Sequence, residues 1–378
     1  MLIYEYKLDG NQQQYAALDE ACRVVQFIRN KCLRLWMDGR RIHKNALQCY
    51  CAVLAKEYSF ARSLNSQARQ ASADRAWFAI SRFYDNCKNH NPGKKGYPKF
   101  QHDNRSVEYK TTGWKLEPDG HHITFTDSCG IGRLRLVGNP KQQIETFPTK
   151  QIKRVRLLKR ADGYYCQFAV QAERRIEHIP TGSQVGIDLG LKSFLTDSDG
   201  NTVDNPRYLR KAEKRVKRLQ RRLSRTKKKS ANRKKARQKV AKAHLKVRRQ
   251  REDFARKTAN TLVTSHDLIA YEDLKICNMV KNHKLAKSIS DASWGRFRSW
   301  LTYYGAMHGI PVIAVAAQYT SQECSACGTR VQKTLSVRTH ICPSCGLVMD
   351  RDHNAACNIL AKALDGTVGH TGTDPLVG

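Results

Sequence analysis

Two pairs of cysteines with a fixed spacing limit most tightly how this chain can fold. Cys324 and Cys327 form one CxxC motif, and after 14 intervening residues Cys342 and Cys345 form a second. Each motif makes a tight knuckle, and two knuckles complete a tetrahedral Zn²⁺ site. A glycine follows each motif, where a left-handed turn is useful. Four thiolates leave no position for water, so we expect a structural zinc; a redox dithiol is the alternative.

The charge balance points to a polyanionic partner. The 378 residues carry 68 Lys and Arg against 33 Asp and Glu, a formal net charge of +35. So large an excess of positive charge is typical of proteins that bind nucleic acid, and few other acidic partners would require it. No stretch approaches the ~18 to 20 apolar residues of a membrane span. The start lacks the pattern of a secretory signal, so we expect an intracellular protein. The odd number of cysteines, 13, argues against a disulfide framework.

The strongest basic run is residues 207–257, with 25 Lys and Arg and three acids. Val216, Leu219 and Leu223 recur at near-helical spacing, which predicts two long basic helices broken near residues 226–230. A disordered basic segment is the alternative. Ordered basic helices would follow a phosphate backbone. The expected phosphate contacts are Lys214, Arg218, Arg221, Arg222, Lys228 and Lys235. Arg338, in the loop between the knuckles, is either a solvated charge or a further phosphate contact.

The rest of the chain divides into segments with different residue patterns. The opening MLIYEYKL alternates like a strand, and residues 12–86 have helical periodicity with almost no Gly or Pro. Residues 106–175 alternate short β-type runs with turns, which predicts a small antiparallel sheet or barrel that the first strand can join. A new domain begins near residue 184. The tail after residue 365 has no core-forming content, so we expect it to be flexible.

Three acidic segments carry the candidate chemistry. In VGIDLG, Asp188 shares its strand face with two glycines, which we interpret as room for a metal and a phosphate. Glu272 ends the apolar run LIAY, at the carboxyl end of a buried strand. Asp350 and Asp352 precede the final helix. Taken singly, each has a simpler explanation: Asp188 could form a turn, Glu272 could be a helix-capping or surface acid, and an aspartate before the final helix could be its N-cap. Together they suit two Mg²⁺ or Mn²⁺ ions that hydrolyse phosphodiesters.

The order VGIDLG, basic helices, AYEDL, two CxxCG knuckles and DRDxNAAxNI resembles the insertion-sequence-encoded TnpB (OrfB) family. LNSQARQASADRAWFAISRFY and GYPKF are similar to the first half of that family, so the resemblance covers nearly the whole chain. Gln318 departs from it, since Pro is common there. The family's catalytic acids correspond to Asp188, Glu272 and Asp352, so the resemblance selects Asp352 over Asp350.

The resemblance implies a multidomain α/β protein related to type V CRISPR effectors. It implies a wedge-type β-barrel from residues 1–10 and 101–181, and a helical recognition lobe from residues 11–100. An RNase H-like (RuvC-like) nuclease domain is expected from residues 182–321 and 349–365, with a zinc ribbon at residues 322–348 inserted in it. The flexible tail is residues 366–378. Gln67 and Gln70 lie on a predicted helix of the recognition lobe, and Gln suits bidentate adenine contacts.

The implied activity is RNA-guided, Mg²⁺-dependent cutting of DNA beside a short motif. The guide RNA would come from the transposon end, and base pairing with it would read the double-stranded target. No small-molecule substrate or membrane is expected, and the location would be a prokaryotic cytoplasm, with the protein on the nucleoid when bound to DNA. The alternatives are guide-dependent DNA binding without cleavage, a transposase acting in strand transfer, and a plain RNA-binding zinc-ribbon protein.

Overall fold

The computed structural model describes residues 1–39, 41–90, 93–138, 144–334 and 337–368. They fall into two compact units, one within Met1–Glu173 and one within the segment that begins at Arg174, and both contain helices and sheets, as the predicted α/β class requires. Among the described residues, no helix combines the length and apolar character needed to cross a bilayer.

The first unit opens with strand β1 (Leu2–Asp9), and helices follow it. They are α1 (Gln12–Gly39), α2 (Lys44–Glu57), α3 (Ser59–Arg62) and α4 (Ser66–Lys88). Apolar side chains at helical spacing, such as Leu18, Val25 and Ile28, are buried on one face of α1. The predicted helical region is therefore confirmed.

The first unit then forms a seven-stranded antiparallel sheet. Its later strands are β2 (Ser106–Tyr109), β3 (Trp114–Leu116), β4 (His122–Phe125), β5 (Arg133–Val137), β6 (Ile152–Arg160) and β7 (Gly163–Val170), with 3₁₀ turns at Ile144–Thr146 and Thr149–Gln151. The order is β2-β6-β7-β1-β5-β4-β3, so β1 does join the sheet, between β7 and β5. The order ends at β2 and β3, and closure into a barrel stays a prediction. Helices and sheet share one hydrophobic core.

The second unit is built on a five-stranded mixed sheet. Its strands are β8 (Gln184–Leu189), β9 (Ser193–Asp197), β10 (Thr202–Asp204), β11 (Leu268–Glu272) and β12 (Val312–Val315). The order is β10-β9-β8-β11-β12, with β8, β11 and β12 parallel and the outer pairs antiparallel. Every residue of β11 is buried, as its continuous apolar run predicted.

Helices cover both faces of this sheet. They are α5 (Tyr208–Ser224), α6 (Ala231–Ser265), α7 (Ile276–Met279), α8 (Ala286–Ala292), α9 (Trp294–His308) and α10 (Arg351–Val368). Ile187 and Phe297 belong to the core on the face of α6 and α9, whereas Ala270 and Ile359 belong to the core under α10. The predicted break between the basic helices is confirmed. Helix α10 reaches residue 368, so it includes the first residues of the predicted tail; residues 369–378 lie outside the described residues.

Gly186 is small for a different reason from the one predicted. A Cβ at this position would lie 2.7 Å from the backbone nitrogen of Leu360 on α10, a distance that a real Cβ does not reach. The glycine therefore makes room for helix α10 on β8, and the interpretation that it makes room for a metal or phosphate is wrong. The close packing places the start of α10, which carries Asp352, beside the end of β8.

Candidate active site and zinc module

Asp188 and Glu272 lie at the same edge of the mixed sheet. Strands β8 and β11 run parallel, and Ile187 of β8 pairs with Tyr271 of β11. The residues that follow this pair, Asp188 and Glu272, are therefore neighbours. Burial is the main cause that raises the pKa of Asp188 from 3.8 to about 8, and the charges of Glu272 and Asp352 raise it further. Asp188, Glu272 and Asp352, from three separate segments, are therefore close enough for the charges of the latter two to act on Asp188.

Glu272 is buried, at 7% exposure, and is held by one hydroxyl. Thr320, also buried, donates its Oγ1 hydrogen bond to Glu272 Oε1. Burial raises the pKa of Glu272, against the opposite effects of this hydrogen bond and of Lys362. The preceding residue, Tyr319, has φ +62°, a left-handed conformation that is uncommon for a non-glycine residue. The backbone turn at Tyr319 thus positions Thr320 against the carboxylate.

The structure separates the roles of Asp350 and Asp352. Asp350 Oδ1 accepts hydrogen bonds from the backbone nitrogens of Asp352 at 2.8 Å and His353 at 3.3 Å, which is how an N-cap satisfies the first turn of a helix. Asp352 lies in that first turn, buried, and acts on Asp188 electrostatically. The N-cap alternative therefore applies to Asp350 and not to Asp352.

Two arginines lie against Asp352. Arg351 donates Nε and Nη2 hydrogen bonds to Asp352 Oδ1 at 3.1 and 2.9 Å, and Arg338 Nη1 lies 3.5 Å from Asp352 Oδ2. Arg338 is half exposed. Arg338 is therefore paired with a carboxylate and is not a freely solvated charge. Its contact with a phosphate stays a prediction.

The three acids are suitable ligands for hard divalent ions. Glu272 and Asp352 are buried and Asp188 is partly buried. Carboxylates close together in such surroundings gain stability from a counter-charge, and their oxygens prefer Mg²⁺ or Mn²⁺. In the described part of the chain, the four cysteines are the one group whose ligand atoms all lie within 4.8 Å of one another. The carboxylates are more widely spread than that, as ligands of two ions about 3.5 to 4 Å apart can be.

The four cysteines form a cluster that fits a zinc ion. The Sγ atoms of Cys324 and Cys345 are 3.6 Å apart, and those of Cys327 and Cys342 are 3.5 Å apart. Four sulfurs at about 2.3 Å from one tetrahedral ion are separated by nearly the same distance. Hydrogen bonding with Thr329 lowers the pKa of Cys327 to about 6, which favours the thiolate that zinc binds. The cluster therefore supports a zinc ribbon.

The backbone of the knuckles follows the sequence prediction. Gly328 has φ +75° and Gly346 has φ +72°, the left-handed turns expected after each CxxC motif. Their nitrogens donate to the carbonyls of Cys324 and Cys342 at 2.9 and 3.0 Å. The second knuckle lies between the two strands of a hairpin, β13 (Thr339–Ile341) and β14 (Val348–Asp350), and β14 leads directly into α10.

Two asparagines of α10 that the sequence analysis did not single out join the zinc module to the active site. Asn354 Oδ1 accepts from Ser325 N at 3.0 Å, and its Nδ2 donates to Glu323 O at 2.7 Å. Asn358 Nδ2 donates to the carbonyls of Thr320 and Glu323 at 2.8 and 2.7 Å. The i, i+4 spacing of NAACN places both on one helix face, which was the signal that could have found them.

The expected nucleic-acid contacts occupy different positions. Lys214, Arg218 and Arg221 are exposed on α5, and Lys228 is exposed in the turn between α5 and α6. Arg222 and Lys235 line a groove between these two helices. Their binding roles stay predictions.

The two glutamines that were expected to contact adenine, Gln67 and Gln70, are partly buried, unlike the exposed cations above. Gln67 Oε1 accepts hydrogen bonds from the nitrogens of Thr111 and Thr112 at 2.8 and 2.9 Å, so its carbonyl already ties α4 to the turn after β2. Gln70 is partly buried on α4. Adenine contacts by either residue also stay a prediction.

Known families match two segments of the chain. Residues 167–283 match the model of the OrfB family of IS605, described as a probable transposase. Residues 294–359 match the TNB domain of Cas12f1-like proteins. These segments contain Asp188 and Glu272 in the first, and the cysteines and Asp352 in the second.

Similar whole proteins extend the match. A "Putative RNA-guided DNA endonuclease" of Streptomyces pristinaespiralis is 42% identical over 186 residues, 49% of this chain and 46% of that protein. "Putative RNA-guided DNA endonuclease InsQ" of Escherichia coli K12 is 30% identical over 282 residues, 70% of this chain and 68% of that protein. The chain thus aligns with less than half of the first relative and about two thirds of the second.

A solved structure shares the fold. The Cas12f1 protein in a complex with sgRNA and target DNA superposes with a TM-score of 0.56 over 92% of this chain and 83% of that protein, at 14% identity. Since identity is low, this likeness concerns the fold alone. With the InsQ alignment and the OrfB match, it leads to one conclusion: the chain belongs to the TnpB (OrfB) family of insertion-sequence proteins.

Proposed function

We propose that this protein is an RNA-guided DNA endonuclease that hydrolyses phosphodiesters with Mg²⁺, beside a short target motif. The single observation that carries the proposal is that Asp188 and Glu272 lie at the neighbouring carboxyl ends of parallel strands, and that Asp352 of α10 is close enough to raise the pKa of Asp188. The names of the Streptomyces and E. coli relatives support RNA guidance and DNA as the target.

The domain assignment follows the same proposal. The mixed sheet of the second unit would be the RNase H-like (RuvC-like) core, with the zinc ribbon between β12 and α10. In the first unit, α1 to α4 would form the recognition lobe and the antiparallel sheet the wedge. Guide RNA and double-stranded target DNA would be the partners, and the net charge of +35 supports both.

Asp188, Glu272 and Asp352 would hold Mg²⁺ or Mn²⁺. Such ions supply activation of water and stabilisation of the leaving oxygen. The chain's own residues prepare the site: Thr320 fixes the rotamer of Glu272, and Arg351 fixes Asp352. Arg338 lies where it can neutralise a phosphate of the strand being cut. Asn358 of α10 holds the backbone of Thr320, and the proposed zinc ribbon carries Arg338 in the loop between its knuckles.

The proposal is tested with the protein purified together with its co-expressed RNA. The RNA is sequenced, and plasmid DNA that matches its guide end is supplied. We expect cleavage that requires both Mg²⁺ and the matching guide and that disappears in Asp188→Ala. Guide-dependent binding without any cut would contradict the proposal and support a binding-only protein. Joining of DNA ends would support a transposase instead, and RNA binding without any effect on DNA would support a plain RNA-binding protein.

A further inference from the structure

The basic helices α5 and α6 enclose a continuous groove along their seam. One part, of about 890 Å³, lies nearer the start of α5, and a second part, of about 440 Å³, lies nearer the turn between the helices. Lys239 and Lys242 line both parts, so the two parts adjoin. The groove therefore follows the hairpin from the start of α5 towards its tip.

The rim of this groove is cationic. Its Lys and Arg residues are Lys211, Arg215, Arg222, Lys235, Lys239, Lys242 and Lys246, and no acid is among the lining residues. By contrast, Lys217 and Lys287 nearby pair with Glu213. None of the seven rim cations forms an ion pair with a residue that the structure describes. Their charges are thus available to an anionic ligand.

The floor of the groove is aliphatic. Val216 and Val247, at 5% and 3% exposure, lie beneath it, with Leu219 and Ala243 beside them, and the ring of Tyr208 lies at one end. A duplex presents only its phosphates and groove edges to such a surface. An unpaired strand can place base faces on the floor while its phosphates meet the rim. The combination of floor and rim therefore fits a single strand.

The start of α5 is tethered to the sheet edge that carries Asp188. Asn205 Nδ2 donates to the carbonyl of Leu191, three residues after Asp188, at 3.1 Å. Asp291 of α8 accepts from the nitrogens of Leu209 and Arg210 at 2.8 and 3.1 Å. A strand that leaves this end of the groove therefore emerges near the carboxylates.

A third cavity of about 510 Å³ lies at this end of the hairpin. Its lining residues include the cations Lys192, Arg207, Arg210, Lys287 and Arg338 and the acids Glu213 and Asp291. Lys287 pairs with Glu213, and Arg338 lies 3.5 Å from Asp352. Lys192, Arg207 and Arg210 thus continue the basic surface from the hairpin towards Arg338 and the carboxylates.

We propose that the seam of α5 and α6 binds an unpaired DNA strand, with its bases on the aliphatic floor and its phosphates on the seven rim cations, and directs it towards Asp188, Glu272 and Asp352. The choice of DNA over RNA rests on the proposed function, because the strand that reaches the carboxylates is the one that is cut. The binding itself requires no cleavage.

The test measures fluorescence anisotropy of a labelled DNA strand with the full chain and its co-purified RNA, in EDTA, over a range of NaCl concentrations. The seam variant replaces Lys211, Arg215, Lys242 and Lys246 by Gln. The control variant removes the same charge from exposed positions outside the groove, Arg225, Lys234, Arg237 and Arg248, also by Gln. Four lost phosphate contacts should reduce the slope of log K against log [NaCl] by about 2.8, at about 0.7 per contact with a single strand.

The control variant should reduce that slope by less than half as much. Removing the bases at a few positions should weaken wild-type binding by about tenfold, from the loss of apolar contact with the floor. The inference is overturned if both variants change the slope equally, or if abasic and normal strands, or duplex and single strand, bind equally. Tighter seam-dependent binding of RNA of the same sequence would overturn the choice of DNA.

The two proposals fail separately. Seam-dependent binding in a protein that cuts no guide-matched DNA would contradict the proposed function and leave this inference standing. Guide-directed cutting by wild type, with unaltered strand binding in the seam variant, would contradict this inference alone.

Discussion

The crowding of carboxylates at the sheet edge should make the metal-free protein less stable as pH rises, and Asp188→Asn should remove this effect. The pKa of Asp188 in the folded protein is about 8, raised by burial and by Glu272 and Asp352, whereas an unfolded Asp titrates near 3.9. The folded state therefore holds the proton more tightly. The resulting stability is complete below about pH 4 and is lost as pH rises to about 8.

The magnitude follows from the linkage relation. One pKa unit corresponds to about 1.4 kcal/mol, and the slope halves as pH reaches the folded pKa, so the loss between pH 6 and pH 8 is about 2 kcal/mol. Other titrating groups contribute equally to wild type and variant. The free energy of unfolding of Asp188→Asn minus that of wild type should therefore increase by about 2 kcal/mol over this range and then become constant.

The assay is equilibrium urea unfolding in EDTA at fixed ionic strength, at several pH values from 6 to above 9. A difference between the two proteins that stays constant with pH, or decreases as pH rises, would refute the reasoning. Mg²⁺ in place of EDTA provides the control. It should stabilise wild type, because an ion that binds the folded state shifts the equilibrium, and it should stabilise Asp188→Asn much less.

Three further predictions concern the surroundings of the acids. Thr320→Val should lower the rate of guide-directed cutting about 10- to 100-fold, as loss of a group that orients a metal ligand does. Thr320→Ser keeps the hydroxyl on Glu272 and should stay near wild type, and equal rates for both variants would contradict this role. Gly186→Ala should lower the free energy of unfolding by several kcal/mol because its Cβ would overlap with α10. The control Gly295→Ala, whose Cβ would lie 3.7 Å from its nearest neighbour, should be neutral or slightly stabilising, and similar melting temperatures for the two variants would refute the packing argument. Elemental analysis should find one zinc per chain in wild type and markedly less in Cys327→Ser, and equal zinc contents would show that the knuckles do not hold it.

The sequence predicted those parts of the fold that local patterns specify. The spacing of Cys324, Cys327, Cys342 and Cys345 predicted a four-cysteine cluster, and the uniform apolar run of β11 predicted burial on both faces. The basic helices and their break followed from periodicity and composition alone.

The remaining features depend on contacts between distant segments. Gly186 was misinterpreted because its neighbour, α10, lies far away in sequence and only the fold brings the two together. Thr320 has no local signature, since its role exists only when β11 and the zinc module meet. Asp350 and Asp352 both looked like N-caps, and the hydrogen bonds of the first turn of α10 were needed to tell them apart.

The most direct test of the account compares these two neighbouring acids. Asp350→Asn retains a side chain that can cap a helix, so cutting of guide-matched DNA in Mg²⁺ should stay within about tenfold of wild type. Asp352→Asn removes a charge that a divalent ion needs, and a loss of several kcal/mol of stabilisation corresponds to at least about 10²- to 10³-fold in rate. The measurement is the single-turnover cleavage rate of both variants with the same RNA. Comparable rates for Asp352→Asn and Asp350→Asn, or full activity of Asp352→Asn, would contradict the assignment of the catalytic carboxylates.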